Sequence, residues 1–290
     1  MLIRAVPFPL VLTTRILAHE AWGPSTPSAG QIVGDTNLWG FVDTNGTFSS
    51  VVDSGIRTTP YGINASGKLV GWIGVDSNGE GFLDSKGAFS LINPPGSIMT
   101  VAFGINTAGE VSGAYNDGTN WHGFTDTNGT FATIDVSGTT AGSKQAYGIN
   151  DLGQVVGQSS KGAFIDTNGT FTNFKVAGAS VTSANAINNS GTVVGDFFVG
   201  SVYKGFVYSG GSYTVFSVSG AADTMPMGID SFGDMVGWYV DTSGVDHGFL
   251  ATPNGSTTNG APLPVIGGTL PGGLLLLGWM GRRITSRRKA

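Results

Sequence analysis

The sequence predicts an all-β chain, a β-propeller of about six four-stranded blades, followed by a C-terminal transmembrane helix. Three observations predict it. A Gly-Ile-Asn cassette recurs about every 42 residues, within the ~40–50 typical of propeller blades. Each copy also carries a Gly-Phe step and a tight hairpin turn. An uncharged apolar stretch near the C-terminus stops at a cluster of arginines.

Each repeat opens with Gly-Ile-Asn and runs on to a Val-Gly pair. Tyr61-Gly62-Ile63-Asn64 leads to Val70-Gly71, and Phe103-Gly104-Ile105-Asn106 leads to Gly113. Tyr147-Gly148-Ile149-Asn150 leads to Val156-Gly157, Ala186-Ile187-Asn188 to Val194-Gly195, and Gly228-Ile229-Asp230 to Val236-Gly237. The isoleucines are spaced by 42, 44, 38 and 42 residues. A degraded first copy runs from Ala21-Trp22-Gly23 to Val33-Gly34.

The second half of each repeat begins at Gly40-Phe41, Gly81-Phe82, Gly123-Phe124, Gly205-Phe206 or Gly248-Phe249, with Gly162-Ala163-Phe164 as the variant. A turn and another aromatic follow, as in Asn45-Gly46-Thr47-Phe48, Asn128-Gly129-Thr130-Phe131 and Asn168-Gly169-Thr170-Phe171. Asn-Gly between apolar runs marks a type I′ hairpin, which needs positive φ at both central residues. Asn64-Ala65-Ser66-Gly67 and its equivalents supply the other tight turn. The last copy ends at Asn254-Gly255-Ser256 without an aromatic, so its fourth strand is missing or altered, and how the ring closes is open. A β-solenoid is the competing architecture. Its coils are shorter and carry fewer tight hairpins.

Composition narrows the function classes. The chain has 290 residues, 48 of them Gly, and no Cys, which leaves no disulfide, no thiolate metal site and no cysteine nucleophile. All 19 acidic residues lie between Glu20 and Asp246, where only seven of the 14 basic ones stand, so the body carries a formal charge of −12. A body that acidic does not neutralise phosphates, and nucleic acid is excluded as a partner.

The apolar stretch from Leu263 to Gly281 is 19 residues long and uncharged, close to the ~20 that span a bilayer. Pro262-Leu263-Pro264 introduces it and Arg282-Arg283 ends it, with the basic tail placed in the cytoplasm. A buried core helix is the alternative, but it does not explain five cations in the last nine residues. Met1 to Ala18 gives a weak leader-like pattern, interrupted by Arg15. The chain thus divides into a signal-peptide-like segment (1–20), a six-repeat body (21–256), a linker (257–262), a transmembrane helix (263–281) and a basic tail (282–290).

On Pro262, Leu263, Pro264, Arg282 and Arg283 the terminus resembles the PEP-CTERM sorting signals of Gram-negative bacteria, in a Pro-Leu-Pro variant. That resemblance implies anchoring in the inner membrane, processing by an exosortase-like protease, and release to the cell surface or exopolysaccharide matrix. The commonest version has Glu where Leu263 stands. The body, on its Gly-Ile-Asn cassettes and on His122-Gly123-Phe124 and His247-Gly248-Phe249, resembles the HAF-type extracellular repeat. That family implies export and carries no catalytic residues over to this chain.

Sharper motifs mostly dissolve into the repeat. Gly62 to Lys68 matches phosphate-loop spacing, but Leu69 stands where Ser or Thr would hold Mg²⁺, and other repeats have Glu110, Gln154 or Thr192 in place of the Lys. His122 and His247 occupy equivalent places in two blades, which predicts a structural hydrogen bond. Asp43-Thr44-Asn45-Gly46, Asp126-Thr127-Asn128-Gly129 and Asp166-Thr167-Asn168-Gly169 offer two side chains each, too few for a full calcium shell, and Asx turns explain them. No cofactor is expected beyond weak Ca²⁺ at such turns. Trp72 and Trp238 follow the Val-Gly step where other blades have Asp35, Ala114, Gln158 and Asp196. They are candidate carbohydrate contacts, against inter-blade packing as the plainer reading.

These observations predict an exported, non-catalytic propeller that binds or structures the cell surface or its polysaccharide. An envelope polysaccharide lyase or hydrolase, needing two convergent carboxylates, and a lectin-like carbohydrate binder are the alternatives.

Overall fold

The computed structural model describes residues 2–5, 15–16, 20–21, 31–35, 40–44, 47–53, 55–74, 79–139 and 144–252. They form six sheets built on four antiparallel strands each, one of which also takes Glu20–Ala21 as a fifth, parallel strand. Blade 1 contains Arg15–Ile16, Gln31–Asp35, Gly40–Thr44 and Thr47–Val51, and blade 2 contains Thr58–Asn64, Lys68–Ile73, Glu80–Ser85 and Ala88–Ile92. Blade 3 runs from Met99–Ile105 to Thr130–Ile134, blade 4 from Gln145–Ile149 to Thr170–Phe174, and blade 5 from Val181–Ile187 to Ser212–Phe216.

Blade 6 is built from both ends of the described chain. Ala221–Ile229, Met235–Asp241 and Asp246–Thr252 supply three strands, and Leu2–Ala5 supplies the fourth. Leu2 pairs with Thr252, Ile3 with Ala251, Arg4 with Leu250 and Ala5 with Phe249. The strand missing from the last repeat is therefore the beginning of the chain. The pairing closes a ring, which a solenoid does not do. Arg15–Ile16 is likewise the first strand of blade 1, in register with Asp35 and Gly34, upstream of the Ala21-Trp22-Gly23 where the first repeat was expected. The segment read as leader-like thus contributes two strands to the ring.

The repeat motifs are packing devices. The type I′ turns form as expected: φ is +58° and +90° at Lys86 and Gly87, +53° and +85° at Asn128 and Gly129, and +52° and +80° at Asn168 and Gly169. Phe82, Phe124, Phe164 and Phe206, the aromatics of the Gly-Phe steps, are completely buried. The aromatic after the next turn packs on three of them, with centroids 5.3 Å apart for Phe82 and Phe89, 5.9 Å for Phe124 and Phe131, and 5.8 Å for Phe164 and Phe171. The Val-Gly glycine gives each Phe room: a Cβ at Gly113 would lie 2.6 Å from the Phe124 ring. Completely burying one such ring contributes about 2–3 kcal/mol.

Residues 253–290 lie outside the described residues, and with them the expected linker, transmembrane helix and basic tail. Among the described residues no helix is long and apolar enough to cross a membrane.

Candidate functional site at the two ends of the ring

The meander puts the turns between strands one and two, and three and four, at one end of the ring. The loops between strands two and three and the inter-blade crossovers lie at the other.

The turn end is uniform. Each cassette Asn folds back on its own turn: Asn150 Oδ1 accepts from the Leu152 N–H at 3.1 Å and the Gln154 N–H at 2.9 Å. Its Nδ2 then reaches across the seam and donates to the next blade. Asn64 donates to the carbonyl of Asn106 at 3.0 Å, Asn106 to Asn150 at 3.3 Å, Asn150 to Asn188 at 3.0 Å, and Asn188 to Asp230 at 2.9 Å. Four rungs thus tie blades 2 to 6 together around the axis. The seam between blades 1 and 2 is joined by backbone instead, Glu20 and Ala21 pairing in parallel with Ile63 and Asn64. Sequence reasoning saw the turn and missed the rung. Replacing Asn150 by Ala removes both, and about 2–3 kcal/mol of stability is expected to go with them, read as a lower denaturant midpoint at unchanged m.

The same geometry disposes of the phosphate-loop likeness. The N–H groups of Ser66 and Lys68 that would face a phosphate are taken by Asn64 Oδ1, both at 3.1 Å. Asp126 and Asp166 accept from Gly129 at 2.6 Å and Gly169 at 2.8 Å, as Asx-type turns do, and burial raises both carboxyls above their ordinary range. Among the described residues no cluster of three metal-ligating side chains occurs.

The crossover end is varied. Asp35 accepts from Arg57 and from Thr59 Oγ1 of blade 2, both at 3.1 Å. Gln158 accepts from Ser183 of blade 5 at 2.7 Å. Asp196 is buried and accepts from Asn185 at 2.7 Å, and burial pushes its carboxyl up to about 6. Asn185 Nδ2 also donates to the Pro226 carbonyl of blade 6 at 2.8 Å. The position after Val-Gly therefore reaches the neighbouring blade at least twice and is a seam position.

Trp72 and Trp238 occupy that position and are half-buried. The Trp72 ring covers Gly79, where a Cβ would lie 2.0 Å from Nε1, and that Nε1 is buried without a partner. His122 and His247 make the predicted structural bonds, Nε2 lying 2.9 Å from Asp117 Oδ2 and 2.9 Å from Asp241 Oδ2. Each ring stacks on a tyrosine, Tyr115 at 5.0 Å and Tyr239 at 4.9 Å. The N–H groups of Asn120 and Thr119, with His122, hold Asp117 down to about 2. Pro262, Leu263, Pro264, Arg282 and Arg283 lie outside the described residues.

A second missed motif is the Thr six residues before the cassette Asn or Asp. Thr58 Oγ1 donates to the Val51 carbonyl, and the Val176 and Val218 N–H groups donate to Thr182 at 3.2 Å and Thr224 at 3.1 Å. Recurrence at positions 58, 100, 182 and 224 was the available signal.

No family model and no curated protein sequence matches the chain. Among solved structures, a candidate gluconolactonase is 11% identical, with a TM-score of 0.50 over 87% of this chain and 98% of that one. The β-propeller domain of the Trilobed protease from Pyrococcus furiosus, described as having an open velcro topology, is 10% identical with a TM-score of 0.47, covering 76% of this chain and 75% of that one. A lectin from Aleuria aurantia, in complex with Fucα1-6GlcNAc, is 9% identical with a TM-score of 0.47, covering 87% of this chain and all of that one. At such identities the likeness establishes the fold, an all-β six-bladed propeller, and nothing of the chemistry.

Proposed function

We propose that this chain is an exported, non-catalytic binding propeller of the cell surface or extracellular polysaccharide matrix, and that its crossover end meets the ligand. The contrast between the two ends supports this reading. The turn end repeats one self-satisfied hydrogen-bond pattern from blade to blade, as a scaffold does. The equivalent positions at the crossover end carry Asp35, Trp72, Ala114, Gln158, Asp196 and Trp238, six sites with four residue types. Two half-buried indoles among polar groups suit a sugar ring, which presents an apolar face and a hydroxyl rim.

The address rests on the C-terminal Pro-Leu-Pro, apolar and Arg-rich segment, through which the chain would be anchored and handed to an exosortase-like protease. Because residues 2–5 and 15–16 are strands of the ring, this reading keeps them in the mature protein and places processing near Pro262.

Titration of the full chain with extracted exopolysaccharide tests the binding. The double variant Trp72→Ala, Trp238→Ala is expected to bind at least about tenfold more weakly, as the loss of ~1.4 kcal/mol implies. Unchanged affinity in a folded double variant overturns the assignment to this end. Shortening of the polysaccharide during the titration would instead favour the lyase or hydrolase alternative.

A further inference from the structure

The rung pattern breaks at one seam. Asn64, Asn106, Asn150 and Asn188 each offer an amide N–H to the next blade, but blade 6 has Asp230 at that place. Asp230 keeps the rest of the turn: its Oδ1 accepts from the Phe232 and Asp234 N–H groups, both at 2.8 Å. Its second oxygen thus stands where an amide nitrogen stands in the other blades, and a carboxylate cannot donate.

The residue four positions on supplies the second observation. In blades 3 and 4 the rung amide also donates to that side chain, Asn106 to Glu110 Oε2 at 3.2 Å and Asn150 to Gln154 Oε1 at 2.9 Å. In blade 6 that residue is Asp234, and its Oδ1 is buried without a partner. An acceptor is in place and the donor is missing. We infer that Asp230 and Asp234 hold one proton between them, and that this proton replaces the rung amide, making the turn of blade 6 at the ring-closing seam tighter in acid than in base.

Among the described side chains no cation acts on this pair, and along the backbone Arg4 pairs with Leu250 on the outer strand of the same blade. From blade 5, the facing turn brings neutral Asn188, Asn189 and Thr192, and Asn189 is bonded to Asp151 at 2.8 Å. The strands of blade 5 packed on Ala221–Ile229 carry Asp196 and Lys204, in register with Ser183 and Phe197 toward the crossover end. Asp223, Asp241, Asp246 and His247 of blade 6 lie toward that end as well. From blade 1, Arg15–Ile16 packs on Met235–Asp241 with Arg15 in register with Asp35, and Glu20 pairs with Ile63. Burial, with the charge of Asp234 adding to it, pushes the Asp230 carboxyl up to about 6, and burial also raises Asp234.

A carboxyl raised in the folded state contributes stability that is complete below its unfolded value and lost as pH rises through the folded one. For Asp230 the window runs from 3.8 to about 6. Asp196 titrates in the same window, so the reading is the difference between chains that share it. Thermal unfolding of the full chain and of Asp230→Asn from pH 4.5 to 8 makes the test. The variant carries a permanent amide donor. It is expected to be more stable than the wild type at pH 7.5, with an unfolding constant up to ~100-fold smaller, the ratio set by two pKa units, and to lose most of that advantage by pH 5. A difference that stays constant with pH, or a less stable variant at pH 7.5, overturns the inference. Should Asp230→Asn fail to fold, carboxyl-carbon NMR of the wild type decides. One carboxyl of the pair titrating between pH 5 and 7 supports the shared proton, and both titrating below 5 contradict it.

Discussion

A chain lacking Leu2–Ala5 is expected to unfold at a markedly lower denaturant concentration than the full chain and to self-associate. Those four residues are the outer strand of blade 6 and pair with Phe249, Leu250, Ala251 and Thr252. Removing them takes away a set of backbone hydrogen bonds worth ~0.5–1.5 kcal/mol each, so a loss of about 2–4 kcal/mol is expected. The deletion also bares the edge of Asp246–Thr252, and an unpaired edge recruits strands from other molecules. Adding back a peptide of the first six residues should restore part of the midpoint, because an open edge accepts an extended segment. An unchanged midpoint after the deletion would mean that the ring is held shut without this strand.

The second large effect is expected at Gly195→Ala. A Cβ at Gly195 would lie 1.9 Å from the Ser183 carbonyl and 2.7 Å from Phe206 Cζ. The carbonyl belongs to the paired inner strand and cannot swing aside, and Phe206 is completely buried. A cost of at least about 3 kcal/mol is expected, in the range reserved for overpacked cores, and soluble yield should fall with it. Gly178→Ala is the control. It adds a methyl where nothing lies within 4 Å and where φ is +77°, so only the left-handed backbone penalty of about 1 kcal/mol applies. Equal costs at both sites would show that the Val-Gly glycine serves conformational freedom and not the close approach of strand and ring.

Most of the blade was legible because its determinants are local. Asn128-Gly129 and Asn168-Gly169 demand positive φ wherever they occur, and they adopt it. The Gly-Phe steps announce a buried ring beside a backbone with no side chain in the way. The asparagine rungs were hidden because a rung joins residues one full repeat apart: Asn64 and Asn106 are separated by 42 positions, and Asn150 and Asn188 by 38. The repeat period, read only as blade length, was also the separation of bonded partners. Closure was hidden for the opposite reason. Leu2–Ala5 carries no repeat signal of its own, and its partners begin more than 240 residues away. Its short sequence, apolar apart from Arg4, reads equally as a leader or as a strand, and only the unfilled edge of blade 6 separates the two.

The candidate site shows the same division. His122 and His247 bond nearby carboxylates as their equivalent positions predicted. The place of Trp72, ring over Gly79 and indole nitrogen unpartnered, is announced by no local motif.

Fractionation of cells expressing the chain with an internal tag between Gly255 and Pro262, followed by mass determination of the mature ends, tests the proposed role most directly. The prediction is tagged protein outside the cytoplasm that retains Leu2–Ala5 at one end and is trimmed near Pro262-Leu263-Pro264 at the other. Full-length protein confined to the cytoplasm would contradict the export on which the surface role rests, and a mature start beyond Ile16 would contradict closure of the ring by the chain's own beginning.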